Sequence, residues 1–367
     1  MMLIINDIAK ANFHYLLFLA GIVFLYDEFV NEEKTFKQKP SSKRSMIVFV
    51  VFSLFMILLY VIFSIPLPNL EEQNLQGKSF LITGCTETGV GFQIALTLLR
   101  WHASNVVCTM RDEGKKRQLM VDIKKYISRP DLENAFHVEL LDLSYFDSVR
   151  SAAKTLVQNY PNFDGIALNA GVFTSSPQFI TKDGFNEIFQ VNFLSQFLLV
   201  RLLEQHLTIN SRVAFVSSPV YIKGTLDRDV YSSPPGGRGL TAASIYEDFQ
   251  TYCDSKLMQY LATKELAKRI PKSRINCVSP GFVSSNIFAK LVDRGGPFWI
   301  YFNKFSRLIS RTTAEGAIAP LKLLTDPNLE QTGKFFHSYV ALPESPEVNE
   351  ENAKWLYEKS NAFVGMI

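Results

Sequence analysis

Residues 79–91 read SFLITGCTETGVG. A short apolar run ends in Thr83-Gly84, and Gly89 and Gly91 open a stretch with helical patterning. Glycines at a strand-to-helix turn let the backbone approach a pyrophosphate, which then sits on the helix N-terminus. A glycine cluster alone marks any tight turn; the strand before it and the helix after it make this one informative. The same alternation recurs outward from this turn. NVVCTM (105–110), AFHVELLDL (135–143), GIALNAG (165–171), RVAFVSS (212–218) and INCVSPG (275–281) are uninterrupted apolar runs, as parallel strands buried on both faces should be. Amphipathic stretches at 93–99, 148–158 and 187–203 lie between them. This pattern predicts an α/β fold, a Rossmann-type doubly wound parallel sheet with helices on both faces. No internal repeat or long linker divides 77–367, so these residues are read as one dinucleotide-binding domain.

The whole chain has 367 residues, 47% hydrophobic and 20% charged, which excludes a disordered or fibrous protein. A net charge of +3, from 38 basic and 35 acidic residues, does not suggest a nucleic-acid binder. Mean hydropathy is +0.07, and the apolar excess is concentrated near the N-terminus. Residues 46–65 read MIVFVVFSLFMILLYVIFSI, without one charge, and Pro66 and Pro68 follow. At about 1.5 Å per residue this run crosses a bilayer core, so 1–76 is read as a membrane anchor region with a transmembrane helix. The shorter run at 13–26, FHYLLFLAGIVFLY, is a candidate second span, interfacial helix or signal-like segment. Lys34, Lys37, Lys39, Lys43 and Arg44 precede 46–65, whereas Glu71 and Glu72 follow it. The positive-inside rule then puts everything after residue 65 across the membrane, lumenal if that membrane is the endoplasmic reticulum. There is no Asn-x-Ser/Thr sequon to support that side. Cys85, Cys108, Cys253 and Cys277 show no metal or redox spacing. They read as ordinary buried thiols, and no metal site is expected.

Candidate chemistry gathers at the strand ends. Met110 cannot hold a ribose hydroxyl, but Arg111 carries a guanidinium fork suited to a 2′-phosphate. NADP(H) is therefore the preferred cofactor, with NAD(H) left open. Lys115 and Lys116 either add positive charge there or form a solvated helix start. Tyr252 and Lys256 stand at i and i+4, on one helix face, so phenol and ammonium can point into one cleft. A nearby ammonium favours the phenolate and lowers its pKa, which equips a tyrosine to exchange a proton near neutral pH. Ser217-Ser218 closes an earlier strand and offers a hydroxyl to the same substrate oxygen. His102, His137 and His206 are scattered and read as structural or surface residues.

With the glycine turn, Asp142, Asn169-Ala170-Gly171, Asn192, Ser218, Tyr252, Lys256 and Pro280-Gly281 in this order, the sequence resembles the short-chain dehydrogenase/reductase family over roughly residues 77–367. TKDG at 181–184, FQVN at 189–192, YCDSKL at 252–257 and the tail from Glu315 look most like its retinol-dehydrogenase-like branch. That branch includes the oxidoreductase domain of the WW-domain oxidoreductase, although no WW domain precedes the motifs here. The resemblance implies a catalytic set of Asn192, Ser218, Tyr252 and Lys256. It makes Tyr252 the acid or base, has Lys256 lower its pKa and hold the nicotinamide ribose, and has Asn192 support a relay water near Lys256. Ser218 would orient the substrate oxygen. Cofactor binding would fall to Thr83, Gly84, Gly89, Gly91, Arg111, Asp142, Asn169, Tyr252, Lys256, Pro280, Gly281, Val283 and Ser285. Asp142 and Asn169 would line the adenine side, and Val283 and Ser285 would approach the nicotinamide.

Two features depart from the family pattern. Four residues, Cys85, Thr86, Glu87 and Thr88, separate the first two glycines where the family has three, and Ser285 stands where it has threonine. The longer turn motivates a reading of another class, a catalytically weakened nucleotide-binding or scaffold protein. Residues 219–250 form a long connection, and 287–311 contain the aromatic PFWIYF at 297–302. The second segment reads as a lid over a lipid-like substrate, a membrane-dipping helix or an amphipathic helix packed on the core. The leading expectation is a membrane-anchored NADP(H)-dependent oxidoreductase. Its substrate would be a hydrophobic alcohol, or the matching ketone or aldehyde, of retinoid, steroid or other lipid type. The partners expected are that small molecule and the membrane, without nucleic acid, and a homo-oligomer is left open.

Overall fold

The computed structural model describes residues 67–173, 180–236, 245–284, 310–338 and 340–366. Apart from Ser310, they belong to one unit, Leu67–Arg307 with Arg311–Ile367. The apolar runs at 13–26 and 46–65, Ser285 and the aromatic segment at 297–302 lie outside the described residues. Among the described residues no helix is long and apolar enough to cross a membrane.

Strands β1 (Ser79–Ile82), β2 (Asn105–Met110), β3 (Phe136–Leu140), β4 (Phe163–Leu168), β5 (Leu207–Val216), β6 (Arg274–Ser279), β7 (Phe335–His337) and β8 (Val340–Ala341) form an eight-stranded sheet. Its order is β3-β2-β1-β4-β5-β6-β7-β8. All pairs are parallel except β7 with β8. The main helices are α1 (Val90–Arg100), α2 (Glu113–Tyr126), α3 (Phe146–Asn159), α4 (Ser195–Leu203), α5 (Ile245–Arg269), α6 (Thr313–Thr325) and α7 (Glu350–Phe363).

Side chains along a strand alternate between faces, and the two cores record this. Leu81, Val107, Ile166, Val213 and Phe215 join the core under α3, α4, α5 and α7. Their neighbours Phe80, Ile82, Val106, Ala167 and Ala214 join the core under α1, α2 and α6. With both faces covered, each strand needs apolar residues at every position, which explains the uninterrupted runs. The doubly wound sheet predicted from sequence is therefore present. The order reverses between β1 and β4, so a crevice opens there beyond the strand C-termini, where open α/β sheets bind ligands.

One expectation about the cysteines fails. Cys253 and Cys277 are free and buried, but Cys85 and Cys108 form a disulfide, with Cα atoms 5.8 Å apart. The bond joins the glycine turn to β2. Parallel β1–β2 pairing brings the two together, because Ile82 aligns with Cys108 and the turn folds back over the end of β1. The Gly84 and Cys85 N–H groups both donate to Thr109 O, at 3.1 Å each, so the turn is already held against β2.

Candidate active site

The glycine turn is built for close approach. Gly84 has φ +72°, and a Cβ there would lie 2.8 Å from Ala170 Cα. A Cβ on Gly91 would lie 2.7 Å from Asn169 Nδ2 and 3.0 Å from Gly84 O. Gly89 is the N-cap of α1 and offers no side-chain acceptor, so the first N–H groups of this helix depend on other partners. The four-residue spacing is accommodated by directing Cys85 inward to its disulfide and closing a turn in which Gly89 N–H donates to Thr86 O at 2.7 Å. Thr83 is buried, and its Oγ1 accepts from Ala170 N–H at 3.0 Å.

The other strand ends face the same edge. Arg111 is exposed just past β2. Asp142 follows β3, and its Oδ1 accepts from Ser144 N–H at 2.9 Å and Ser144 Oγ at 2.7 Å. Asn169 follows β4, but its amide donates to Thr83 O at 2.9 Å and Gly84 O at 3.1 Å. The structure thus uses the Asn169 amide to brace the glycine turn. Beyond β6, Gly281 has φ +85° and its N–H donates to Ser279 Oγ at 3.1 Å. Arg311 lies beneath this bend and donates to Pro280 O at 3.3 Å and Ser338 Oγ at 2.8 Å. Val283 is buried, pairs with Arg311 in an isolated parallel bridge, and lies opposite Gly316 of α6.

The four residues expected to act together are brought together. Asn192 sits in a π-helix, Gln190–Leu194, that leads into α4. Its side chain clamps Val172, accepting from the N–H at 2.8 Å and donating to the carbonyl at 2.9 Å, and it reaches Ser255 Oγ at 3.1 Å. Ser218 follows β5, its Oγ accepts from Val220 N–H at 3.5 Å, and its side chain is a neighbour of the Tyr252 phenol. Lys256 is buried, with Nζ 5.4 Å from the Tyr252 ring centroid, and donates to Val216 O at 3.1 Å and Gln259 Oε1 at 3.2 Å.

The electrostatics differ from the sequence expectation. Burial pushes the Tyr252 phenol well above its ordinary value, and Cys253 adds to the rise, while the neighbouring Ser218 side chain opposes both. Burial also pushes Lys256 down to about 8, with Cys277 opposing. In this arrangement removal from water outweighs the help an ammonium gives a phenolate, because the charged form of either group is the one penalised. The phenol is therefore protonated at neutral pH.

Several neighbours of the site were not singled out from the sequence. Phe173 lies 4.9 Å from the Tyr252 ring and 6.0 Å from Phe249, and Ile188 joins Phe173 and Tyr252 in a small apolar cluster. Asp254, between the tyrosine and lysine, is fully buried. It accepts from Thr225 N–H, the Tyr231 phenol and the Gln250 amide at 2.8 Å each, which ties the connection after Ser218 to α5. Gln259, one turn beyond Lys256, touches both Lys256 and Asn192. A search for buried polar residues at helical spacing from Tyr252 would have found Gln259, but Phe173 has no such marker.

Comparison with known proteins agrees with this geometry. Residues 78–243 match the family model for short chain dehydrogenase. Retinol dehydrogenase 14 of Mus musculus is 31% identical over 309 residues, covering 80% of this chain and 87% of its own. Polyprenol dehydrogenase of Danio rerio is 29% identical over 329 residues, covering 84% and 94%. Among solved structures, a short chain dehydrogenase from Escherichia coli CFT073 complexed with NADPH superposes with a TM-score of 0.54 at 22% identity, covering 73% of this chain and 99% of that one. That last likeness bears on the fold.

Proposed function

The chain belongs to the short-chain dehydrogenase/reductase family, in its retinol-dehydrogenase-like branch; from that premise we propose a membrane-anchored, NADP(H)-dependent oxidoreductase interconverting a hydrophobic alcohol and its aldehyde or ketone. The observation that carries this reading is the convergence of Ser218, Tyr252 and Lys256 at the sheet edge that also holds the glycine turn. The residues present fit the cofactor. Gly84 and Gly91 leave no room for a Cβ, and the glycine-capped N-terminus of α1 suits a pyrophosphate. Arg111, exposed past β2, suits the 2′-phosphate.

When bound, NADPH supplies a hydride to the carbonyl carbon, or NADP⁺ receives one from the alcohol. The remaining chemistry belongs to the protein. In reduction the Tyr252 phenol gives its proton to the substrate oxygen, so a C–H and an O–H bond form as the carbonyl π bond breaks. In oxidation the Tyr252 oxygen, deprotonated, takes the proton from the alcohol hydroxyl as the carbonyl π bond forms and the hydride leaves carbon. Ser218 orients the substrate oxygen through its hydroxyl, and Lys256 holds the ribose and adds positive charge beside the phenol. Burial alone makes the phenol a weak proton donor, so charge beside it, from Lys256 and the bound cofactor, would have to bring its pKa toward neutrality for efficient proton exchange in either direction.

The substrate class follows from what surrounds Tyr252. Phe173, Phe249, Val172 and Val220 make its approach apolar and aromatic, suiting a retinoid, steroid or polyisoprenoid. Relatives named for retinol and polyprenol support this class. The 46–65 run would anchor the enzyme where such substrates dissolve. The disulfide supports a lumenal domain, since disulfides persist in oxidising compartments. That agrees with the charge bias around 46–65.

The test is a screen of lipid carbonyls and alcohols with NADPH and NADP⁺, on detergent-solubilised full-length protein. Turnover that disappears in Tyr252→Phe is expected, and full activity in that variant overturns the assigned mechanism. Binding titrations with NADPH and NADH decide against the scaffold reading if either binds with turnover, and in its favour if neither binds.

A further inference from the structure

Gln259 is fully buried on α5, one turn beyond Lys256. Its amide connects two residues of the site. The Lys256 ammonium donates to Gln259 Oε1 at 3.2 Å, and Gln259 Nε2 donates to the Asn192 carbonyl at 2.7 Å. A longer contact of 3.4 Å joins Nε2 to Gln196 Oε1, and the Gln196 amide donates onward to Ala170 O and Val191 O. The acceptor end of the amide therefore meets a cation and its donor end meets a carbonyl, the orientation that satisfies both partners.

The backbone at Asn192 is shaped for this contact. Asn192 lies in a π-helix, a widened turn found mostly at functional positions. Its side chain is engaged with Val172 and Ser255, so its carbonyl is the group that faces Gln259. The Lys256 stem is fixed at its other end, because Lys256 O accepts from Ser217 Oγ at 3.3 Å.

We propose that Gln259 is a positioning residue for the reaction: its amide locks the Lys256 ammonium beside Tyr252 and bridges it to the Asn192 carbonyl. This rests on the function proposed above. The resemblance implies a relay water near Asn192 and Lys256, but here the direct line between these two groups is spanned by a protein amide. An amide N–H is a very weak acid, so this bridge holds charge in place without passing protons along it.

Among the described residues, the groups facing Lys256 are few. Val216 of β5 and the π-helix contribute neutral carbonyls and amides, β6 contributes Cys277, and α5 contributes Tyr252. Burial pushes the Cys277 thiol up to about 12 and raises the Tyr252 phenol, so both are neutral when Lys256 titrates. The Lys256 midpoint therefore reports on Gln259.

The experiment follows Lys256 by NMR in full-length, detergent-solubilised protein carrying ¹³Cε-lysine, with the signal assigned by its loss in Lys256→Met. Gln259→Leu keeps the volume and removes the acceptor, so the midpoint should fall by about one pH unit or more. Gln259→Glu places a carboxylate beside the ammonium and should raise it by a similar amount. A glutamine that only fills space would not move the midpoint in opposite senses. With NADPH added, Gln259→Leu should bind about tenfold more weakly and lose kcat, with little change in the KM for the carbonyl substrate. Coincident midpoints in wild type and variants overturn the proposal. Should Gln259→Leu fail to fold, an unmoved or lowered midpoint in Gln259→Glu does so. The titration needs no cofactor, so it stands apart from the functional reading, which fails separately if wild type binds no NADPH or Tyr252→Phe stays fully active.

Discussion

Breaking the Cys85–Cys108 disulfide should cost a predictable amount of stability. The two cysteines are 23 residues apart in sequence. A cross-link of that span removes about 11 cal/mol/K of entropy from the unfolded chain, or about 3.4 kcal/mol at room temperature. Unfolding a domain of roughly 290 residues releases about 0.6 kcal/mol/K, so losing the bond should lower Tm by about 5–6 °C. Both sulfurs are buried, so the perturbation is the double substitution Cys85→Ala/Cys108→Ala alongside wild type reduced under mild denaturation and refolded with thiol. Reduced wild type keeps the side-chain volume and isolates the cross-link, whereas the double variant adds small cavity losses. Scanning fluorimetry reads Tm, and alkylation of denatured, unreduced protein counts thiols by mass. Two modified cysteines are expected, Cys253 and Cys277. Because Cys85 lies inside the glycine turn, NADPH affinity should fall together with Tm. Four alkylated thiols, or oxidised and reduced protein melting within about one degree of each other, would refute the reasoning.

Other perturbations test separate parts of the site. Arg111→Ser should weaken NADPH binding roughly 10- to 100-fold, the range for losing a charge-assisted pair, and leave NADH binding nearly unchanged; paired titrations check this. Gly84→Ala should abolish dinucleotide binding, because φ is +72° and the new Cβ meets backbone atoms of Ala170 at 2.8 Å; calorimetry with NADPH reads the loss. His337 is buried, its Nδ1 has no hydrogen-bond partner among the described residues, and burial pushes it down to about 4. Its neutral form is favoured in the folded state, so the unfolded chain binds more protons between about pH 6.5 and 4. Stability contributed by this site is therefore present above pH 6.5 and is lost as pH falls toward 4, on the order of 3 kcal/mol. Denaturant titrations across that window should show a shallower pH dependence in His337→Leu than in wild type. Parallel slopes would contradict the assignment.

Much of the fold and part of the site were legible because their information is local. A parallel strand covered on both faces must be apolar at consecutive positions, so β1, β2, β4 and β6 appear as unbroken runs. A strand, a glycine turn and a helix follow one another directly at 79–91, and Tyr252 and Lys256 share one helix face by spacing alone. Their protonation was not legible in the same way. The i, i+4 spacing places an ammonium near a phenol, but burial decides which form each group prefers, and here it raises the phenol and depresses the lysine.

What the sequence by itself determined was the order of elements and the residues standing at their ends. Only the tertiary structure decided which of those residues touch. Cys85 meets Cys108 because β1 and β2 pair in one register. Gln259 meets Asn192, which is 67 positions earlier, because α5 packs against the π-helix. Phe173 lies on Tyr252, and Arg311 braces Pro280, across loops with no shared spacing. Periodicity along a chain encodes contacts within a turn of helix or a step of strand. Contacts between elements depend on register and on how side chains fill the space between layers, and no interval in the sequence records either.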